Sequence, residues 1–206
     1  MSWSLWLTLV AAGSLISFTP GAGAINTMAT SLGSGWARSI WGILGQQVAL
    51  VTHIAIVAGG VGVLVSGNPV LFDTVRYVGA AYLLWLGVRQ WRLTPTLVAD
   101  AGTPLREPAG PMFRRGVFVN LTNPKAIVFF LAFVPHFIDP DRPLLVQYLI
   151  LAATVVGIDT IVMWFFFAAA AKGLRRLTRS ASGQRTINRV FGSLYVVVAV
   201  LLAVTR

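Results

Sequence analysis

The stretch that decides the fold is NLTNPKAIVFFLAFVPHF, residues 120–137. Its second half is almost wholly apolar, as is typical of a segment that crosses a bilayer. The first half nevertheless contains Asn123, Pro124 and Lys125. A proline removes a helical hydrogen bond and clashes with the preceding turn, and a lysine is among the costliest residues to place in hydrocarbon. A span that carries both needs a special environment, because lipid cannot satisfy the backbone groups that a broken helix frees.

The composition indicates an integral membrane protein. Of the 206 residues, 56% are hydrophobic and only 11% are charged, whereas a soluble domain carries about 25% charged residues. The net charge of +10 comes from basic residues in the short breaks between apolar runs. That distribution is a topology signal, so no nucleic-acid partner is expected. With no cysteine and two histidines, the sequence predicts neither a metal site nor a cofactor.

The chain contains enough long apolar segments for a polytopic helical protein. A span needs about 20 predominantly apolar residues, and strands of a membrane barrel would be shorter and would alternate in polarity. The sequence therefore predicts an all-α membrane protein with one transmembrane domain over residues 1–206. The predicted spans are 3–28, 40–65, 70–91, 116–137, 144–171 and 187–205.

Lysine and arginine predict the orientation of these spans. The breaks after the first, third and fifth spans carry twelve of them, and the opposite side carries three. The positive-inside rule places the twelve in the cytoplasm, so both termini are predicted to lie on the outer side of the membrane. The first span could also be interpreted as a signal peptide, with GAGA at 21–24 as its cleavage site. A signal peptide requires a positive charge before its apolar run, however, and none precedes this span.

Two halves of three spans each would face opposite ways, which predicts an inverted repeat. Repeat 1 covers about 1–92, a cytoplasmic loop about 93–115, and repeat 2 about 116–206. Pro20 in FTPGAG and Pro124 occupy similar places in the first span of each half, which predicts broken first and fourth helices. The third spans share a G-x-x-Y spacing, at positions 79–82 and 192–195.

Interrupted helices in corresponding positions of two halves are the best sequence indication of a transporter's binding site. Each half-helix after a break offers free N–H groups and a positive dipole end, which suit a carboxylate. The alternative is that these prolines only kink packed helices. The predicted substrate-binding residues lie at or near the two breaks: Thr19, Pro20, Gly21, Asn26, Asn123, Pro124 and Lys125.

Asp159 is the acidic residue in the middle of a span, and it is the predicted proton-coupling group. A buried carboxylate is costly alone, so it pairs, takes a proton or binds a cation. Asp159 could pair with Lys125, carry the coupling proton or bind the ammonium of a substrate, and a purely structural pair is the remaining alternative. Further candidates, for helix packing or proton relay, are Gln46, His53, Tyr82 and Tyr195.

These motifs resemble those of a known family. NPKAIVFFLAFVPHFIDP resembles the fourth-span signature of the LysE/RhtB family of bacterial amino-acid exporters, FTPGAG resembles its TPGP motif, and GAAYLLWLG resembles its third-span pattern. The resemblance covers essentially the whole chain. It implies a secondary exporter of amino acids or related small metabolites, coupled to protons. Ala22 replaces the second proline of TPGP and Gly23 a residue that is often polar, which affects the expected substrate more than the fold.

The same residues leave two alternative functions open. An exporter of cations on the same fold is the first alternative, although a chain without cysteine and with few acids has few ligands to offer. An intramembrane lipid-modifying enzyme is less favoured, because the nearest pair of acids, Asp139 and Asp141, lies in a short outer loop. The chain is therefore expected not to be an enzyme, and its partners to be a small substrate and the bilayer. Small residues in the spans are compatible with a homodimer and equally with packing inside a monomer.

Overall fold

The computed structural model describes residues 1–61, 69–94, 107–139, 141–178 and 180–204, and the regular structure within these ranges is helical throughout. The prediction of an all-α protein is confirmed. Short 3₁₀ or π segments flank or continue some helices, at 37–39, 57–61, 134–137 and 162–168. The helices in chain order are α1 Trp3–Phe18, α2 Ala22–Ser34, α3 Ile40–Ile56, α4 Pro69–Arg92, α5 Ala109–Leu121, α6 Pro124–Phe133, α7 Leu144–Ile161, α8 Ala169–Thr178 and α9 Ala181–Val204.

Both predicted helix breaks are present. α1 and α2 are bent by 57° at residues 19–21, and α5 and α6 are bent by 57° at residues 122–123. Pro124 is the first residue of α6, where a missing N–H costs nothing. The side chain of Asn123 caps the same helix by accepting the backbone N–H of Lys125 at 3.1 Å. The equal bends agree with an inverted repeat, which stays a prediction.

The structure contains several helices that can cross a membrane. Among the described residues, three uninterrupted stretches are long and apolar enough: Ala37–Gly60, Leu144–Gly173 and Ala181–Val204, and the two bent pairs raise the number to five. α4 covers the predicted third span with 24 residues, about 36 Å at 1.5 Å per residue, which exceeds the hydrocarbon thickness. α4 contains four charged residues and is not among the stretches that are apolar enough, so the third span stays a prediction.

Helices extend further than predicted on the basic side of the protein. α5 begins at Ala109 rather than at residue 116, and α8 and α9 enter the basic run that was expected to be a break. Arginine and lysine are good helix formers, so a helix can continue into water after its apolar stretch ends. The proline-containing centre of the predicted cytoplasmic loop, the end of the predicted second span and the last two residues of the chain lie outside the described residues.

Glycines allow two very close helix pairs, α3 with α5 and α4 with α9. A Cβ atom built on Gly45 or on Gly116 would overlap the backbone of the facing helix. Gly87 and Gly192 contact each other reciprocally, since a Cβ on either would lie 2.8 Å from the carbonyl oxygen of the other. Small residues permit such backbone approach within membranes. Each pair therefore forms a tight unit that combines one helix from each predicted half.

Aromatic side chains of α6 fill the core on the predicted outer side of the second break. Phe129 and Phe133 stack with ring centroids 4.6 Å apart, and Phe137 continues the row at 6.5 Å. All three are buried against residues of α1, α3, α4, α7 and α9. One side of the second half-helix is therefore packed in the core, and Asn123 and Lys125 at the break are buried in protein.

Candidate functional site

The side chain of Lys125 joins the two helix breaks. It is 8% exposed, and its ammonium donates to the carbonyl oxygens of Ile16 at 3.0 Å and Thr19 at 2.6 Å. The last carbonyls of a helix have no partner within the helix and carry its negative dipole end. The break in the first span thus provides the acceptors for the charge that begins the second half-helix of the fourth span.

The rest of the first break also contacts functional candidates. Gly21 lies against the lysine stem, since a Cβ at this position would come within 3.3 Å of the Cε atom of Lys125. The carbonyl of Pro20 accepts the hydroxyl of Tyr195 at 3.1 Å. Tyr82, the tyrosine of the other G-x-x-Y motif, is half-buried and packs on a neighbouring tryptophan. The two tyrosines therefore have different surroundings, and Tyr195 is the one at the site.

Asp159 of α7 is buried and bound by two neutral donors. Its Oδ1 accepts the hydroxyl of Ser17 at 3.0 Å, and its Oδ2 accepts the Nε2 of Gln47 at 2.9 Å. None of the ion pairs formed by the described residues joins Asp159 to Lys125. The direct pair that the sequence suggested is not formed, and each charge is instead stabilised by hydrogen bonds, which a buried charge requires.

A chain of amides connects the second break to α3 and α2. Asn123 donates to the Oδ1 of Asn120 at 3.2 Å, and Asn120 donates to the backbone carbonyl of Gln46 at 3.1 Å. Gln46 in turn donates to the carbonyl of Gly23 at 3.2 Å and to the hydroxyl of Thr27 at 3.0 Å. All of these side chains are buried. The chain fixes the position of the break relative to two other helices.

Six of the polar side chains described above line one cavity between the broken helices. Its volume is about 40 Å³, which holds a few water molecules and is too small for an amino acid. The cavity presents one positive and one negative side chain to the same space, so it is complementary to a zwitterion. Its polar lining is Ser17, Gln46, Asn120, Asn123, Lys125 and Asp159, and its apolar lining includes Leu50, Phe129, Phe130, Val155 and Met163.

Four of the predicted residues line the cavity, and the other eight do not: Thr19, Pro20, Gly21, Asn26, His53, Tyr82, Pro124 and Tyr195. Asn26 is further along α2, where its Oδ1 accepts the Nε of Arg115 at 2.8 Å. His53 is buried on α3, and its ring stacks on Phe130 with centroids 5.6 Å apart. Phe130 lines the cavity, so His53 supports its wall without facing the space itself.

Sequence reasoning missed some polar groups of the site. Ser17, Gln47 and Asn120 were not among the predicted site residues, and Arg115 was counted only for topology. Asn120 had a signal, because it lies three residues before Asn123 and therefore on the same side of the chain. Ser17 had none, and Gln47 had only a polar side chain within an apolar span, which indicates helix packing; their contact with Asp159 depends on which faces of α1 and α3 meet it.

Comparison with known proteins confirms the resemblance. The sequence model of the LysE type translocator family matches residues 14–206. A homoserine/homoserine lactone efflux protein of Salmonella typhimurium is 40% identical over all of this chain and 99% of its own length. A Vibrio cholerae membrane protein is 38% identical over 98% of both chains, and a leucine efflux protein of Salmonella choleraesuis is 32% identical over 96% of this chain and 93% of its own. No solved structure matches. The chain therefore belongs to the LysE type translocators, a family of multi-pass membrane transporters.

Proposed function

We propose that this protein exports a small amino acid or a close derivative from the bacterial cytoplasm in exchange for protons, with homoserine as the first candidate. The observation that carries the proposal is that Lys125 and Asp159 line one cavity between two broken helices. A zwitterionic amino acid carries the complementary pair of charges. Two of the relatives named above are a homoserine/homoserine lactone efflux protein and a leucine efflux protein, which supports the same substrate class.

In this proposal the two ends of the substrate meet different walls. The carboxylate is bound by the ammonium of Lys125 and by free backbone N–H groups in the first turns of α2 and α6. The ammonium is bound by Asp159 and by the carbonyls of Ile16 and Thr19, which Lys125 releases as it turns to the carboxylate. The side chain of the substrate points to the apolar wall around Phe129.

Competition at Asp159 would couple export to protons. A single carboxylate binds either a proton or the substrate ammonium, so loading one requires release of the other. The surroundings of Asp159 support this exchange. In the observed state Gln47 donates to it, and the Oε1 of Gln47 is buried without a partner among the described residues. Rotation of the amide would turn this acceptor toward a protonated Asp159, so both protonation states would have a hydrogen bond.

Alternating access requires the cavity to open, because it is too small for the substrate as observed. The glycine contacts support a movement in which α3 stays with α5 and α4 stays with α9. The half-helices α2 and α6 would then change their angles at the breaks. Each rigid unit would then contain one helix from each predicted half, so neither repeat would move as a single body.

Uptake into inverted membrane vesicles tests this proposal. In such vesicles the cytoplasmic face of an inner-membrane protein is exposed, so an exporter accumulates its substrate inside. Labelled homoserine, homoserine lactone and leucine are offered with and without an acidic lumen, beside vesicles that lack the protein. We expect uptake of homoserine that requires the acidic lumen and disappears when the gradient is collapsed. Equal uptake of every compound with and without the protein would overturn the proposal.

A further inference from the structure

An arginine fork lies near the predicted cytoplasmic end of the cavity. The NH1 of Arg115 donates to both carboxylate oxygens of Glu107, at 2.8 and 2.7 Å. Its Nε donates to the Oδ1 of Asn26 at 2.8 Å, and its NH2 donates to the hydroxyl of Thr30 at 3.0 Å. The side chain of Arg115 is 41% exposed and that of Glu107 is 29% exposed. The fork therefore holds a carboxylate at a place that solvent reaches.

The fork and the cavity follow one another along α2. Gly23 lines the cavity, and Asn26 comes three residues later, about 4.5 Å along the helix at 1.5 Å per residue. Gln46 of the cavity lining donates to Thr27, the residue that follows Asn26. Arg115 belongs to the basic residues that are predicted to face the cytoplasm. A solute that approaches from this side would meet the fork before it reaches the cavity.

A buried donor beside the fork points to a ligand. Asn26 is 7% exposed, and its Nδ2 has no hydrogen-bond partner in the part of the chain that the structure describes. A buried donor without an acceptor is costly, so an acceptor that arrives from outside would be favoured. The Nδ2 of Asn26 and the guanidinium of Arg115 are both donors, which is the combination that a carboxylate needs.

Hydrogen bonds between the backbone of Glu107 and other residues fix the position of its side chain. The N–H of Glu107 donates to the hydroxyl of Ser34 at 3.3 Å, and its carbonyl accepts the NH2 of Arg38 at 3.0 Å. Glu107 directly precedes Pro108 and α5, so the chain that leads into the fourth span lies over the fork. An internal carboxylate thus occupies the place where a free one could bind.

We infer that Arg115 and Asn26 bind the α-carboxylate of the substrate at the cytoplasmic entrance, and that Glu107 occupies the fork when this entrance is closed. The inference rests on the proposed export of amino acids. A free carboxylate can replace that of Glu107 on the guanidinium of Arg115, and it would differ from Glu107 in also accepting the Nδ2 of Asn26, which Glu107 leaves without a partner. Competition by Glu107 lowers the apparent affinity for substrate on this side, since a site that is partly occupied is only partly competent.

Homoserine and its lactone separate this role from simple closure of the entrance, because the lactone has no free carboxylate. Initial uptake of each into inverted vesicles is compared for wild type, Arg115→Gln, Glu107→Gln and Arg114→Gln. Arg114 is exposed and adjacent, so it controls for the loss of one charge. We expect Arg115→Gln to raise the KM of homoserine about tenfold or more and to leave that of the lactone unchanged. We expect Glu107→Gln to lower the KM of homoserine, and Arg114→Gln to change neither.

Two further measurements keep the result decisive. If Arg115→Gln does not fold, Arg115→Lys keeps the charge and loses the planar fork, and the same selective rise in the KM of homoserine is expected. If wild-type vesicles transport neither compound, the proposed function is wrong. Calorimetric titration of purified full-length protein with homoserine and with the lactone still tests whether the fork binds a carboxylate. Homoserine binding that Arg115→Gln abolishes supports the fork. Equal effects on homoserine and lactone, in binding or in KM, would overturn it.

Discussion

The ammonium of Lys125 lies 2.6 Å from the carbonyl oxygen of Thr19, so the charge at the start of one half-helix is bound by the end of another. The two breaks are therefore not independent. A change in the angle of the first break moves the acceptors of Lys125, and a movement of Lys125 frees carbonyls at the first break. This connection is how substrate binding at one half could be transmitted to the other.

Replacement of Lys125 by methionine is expected to reduce homoserine uptake by about tenfold to a hundredfold, as the loss of a charged hydrogen bond to substrate predicts. It also leaves the carbonyl of Thr19 without its donor, whereas that of Ile16 keeps the N–H of Thr19, and the loss is expected to lower the free energy of unfolding by about 1–3 kcal/mol. Uptake into inverted vesicles and thermal unfolding in detergent measure the two effects. Uptake at the wild-type rate would contradict the assignment of Lys125 to the substrate site.

Replacement of Asp159 by asparagine is expected to remove the dependence of uptake on an acidic lumen. The amide keeps the shape of the side chain and does not exchange a proton, so uptake should fall to the level without a gradient. The control is Asp141→Asn, which neutralises an exposed acid of the outer loop. Uptake by each variant is measured over a series of lumen pH values. A response of Asp159→Asn equal to that of the control would exclude Asp159 as the coupling group.

The tyrosines of the two G-x-x-Y motifs should respond differently to loss of their hydroxyl groups. Tyr195→Phe removes the donor to Pro20, so the first break loses a contact that fixes it, and uptake is expected to fall several-fold. A neutral hydrogen bond of this kind contributes about 0.5–1.5 kcal/mol. Tyr82→Phe is the matched control and is expected to be neutral, because the Tyr82 hydroxyl makes no hydrogen bond with the described residues, whereas that of Tyr195 donates to the first break. A comparable loss of uptake in both variants would argue against a special role for Tyr195.

The substitution Ala22→Pro should be tolerated. Ala22 is the first residue of α2, and Gly21 before it has an extended backbone with φ −132°. Proline suits the first helical position and tolerates an extended preceding residue. Ala22 does not line the cavity, in contrast to Gly23 and Ala24, so we expect unchanged uptake. We also expect a gain of about 0.4–1 kcal/mol in unfolding free energy, because the unfolded chain loses freedom. Thermal unfolding is the measurement, and a loss of stability would show that the N–H of Ala22 has a role in the closed state.

Two glycines in helices differ in what a methyl group would meet. At Gly87 a Cβ would lie 2.8 Å from the carbonyl oxygen of Gly192, whereas at Gly157 nothing lies within 4 Å. Gly87→Ala is expected to lower the unfolding free energy by about 1–3 kcal/mol through overpacking. Gly157→Ala is expected to raise it by up to about 1 kcal/mol through helix propensity. Thermal unfolding in detergent compares them, and similar shifts would refute the close packing of α4 on α9.

The helix breaks could be predicted because their signals are local. Pro20 and Pro124 interrupt apolar segments, and Asn123 has a side chain that can cap a helix. The partners of Lys125 could not be predicted, because they are backbone carbonyls, and any residue type provides one. The environment of Asp159 depends on how α1, α3 and α7 rotate against each other, which no short motif encodes.

The reciprocal contact of Gly87 and Gly192 bears on the predicted inverted repeat. We propose that these glycines lie on the axis that relates the two halves, where equivalent residues touch. Positions 87 and 192 are 105 apart, close to the 104 that separate Pro20 from Pro124, whereas the motif glycines at 79 and 192 are 113 apart.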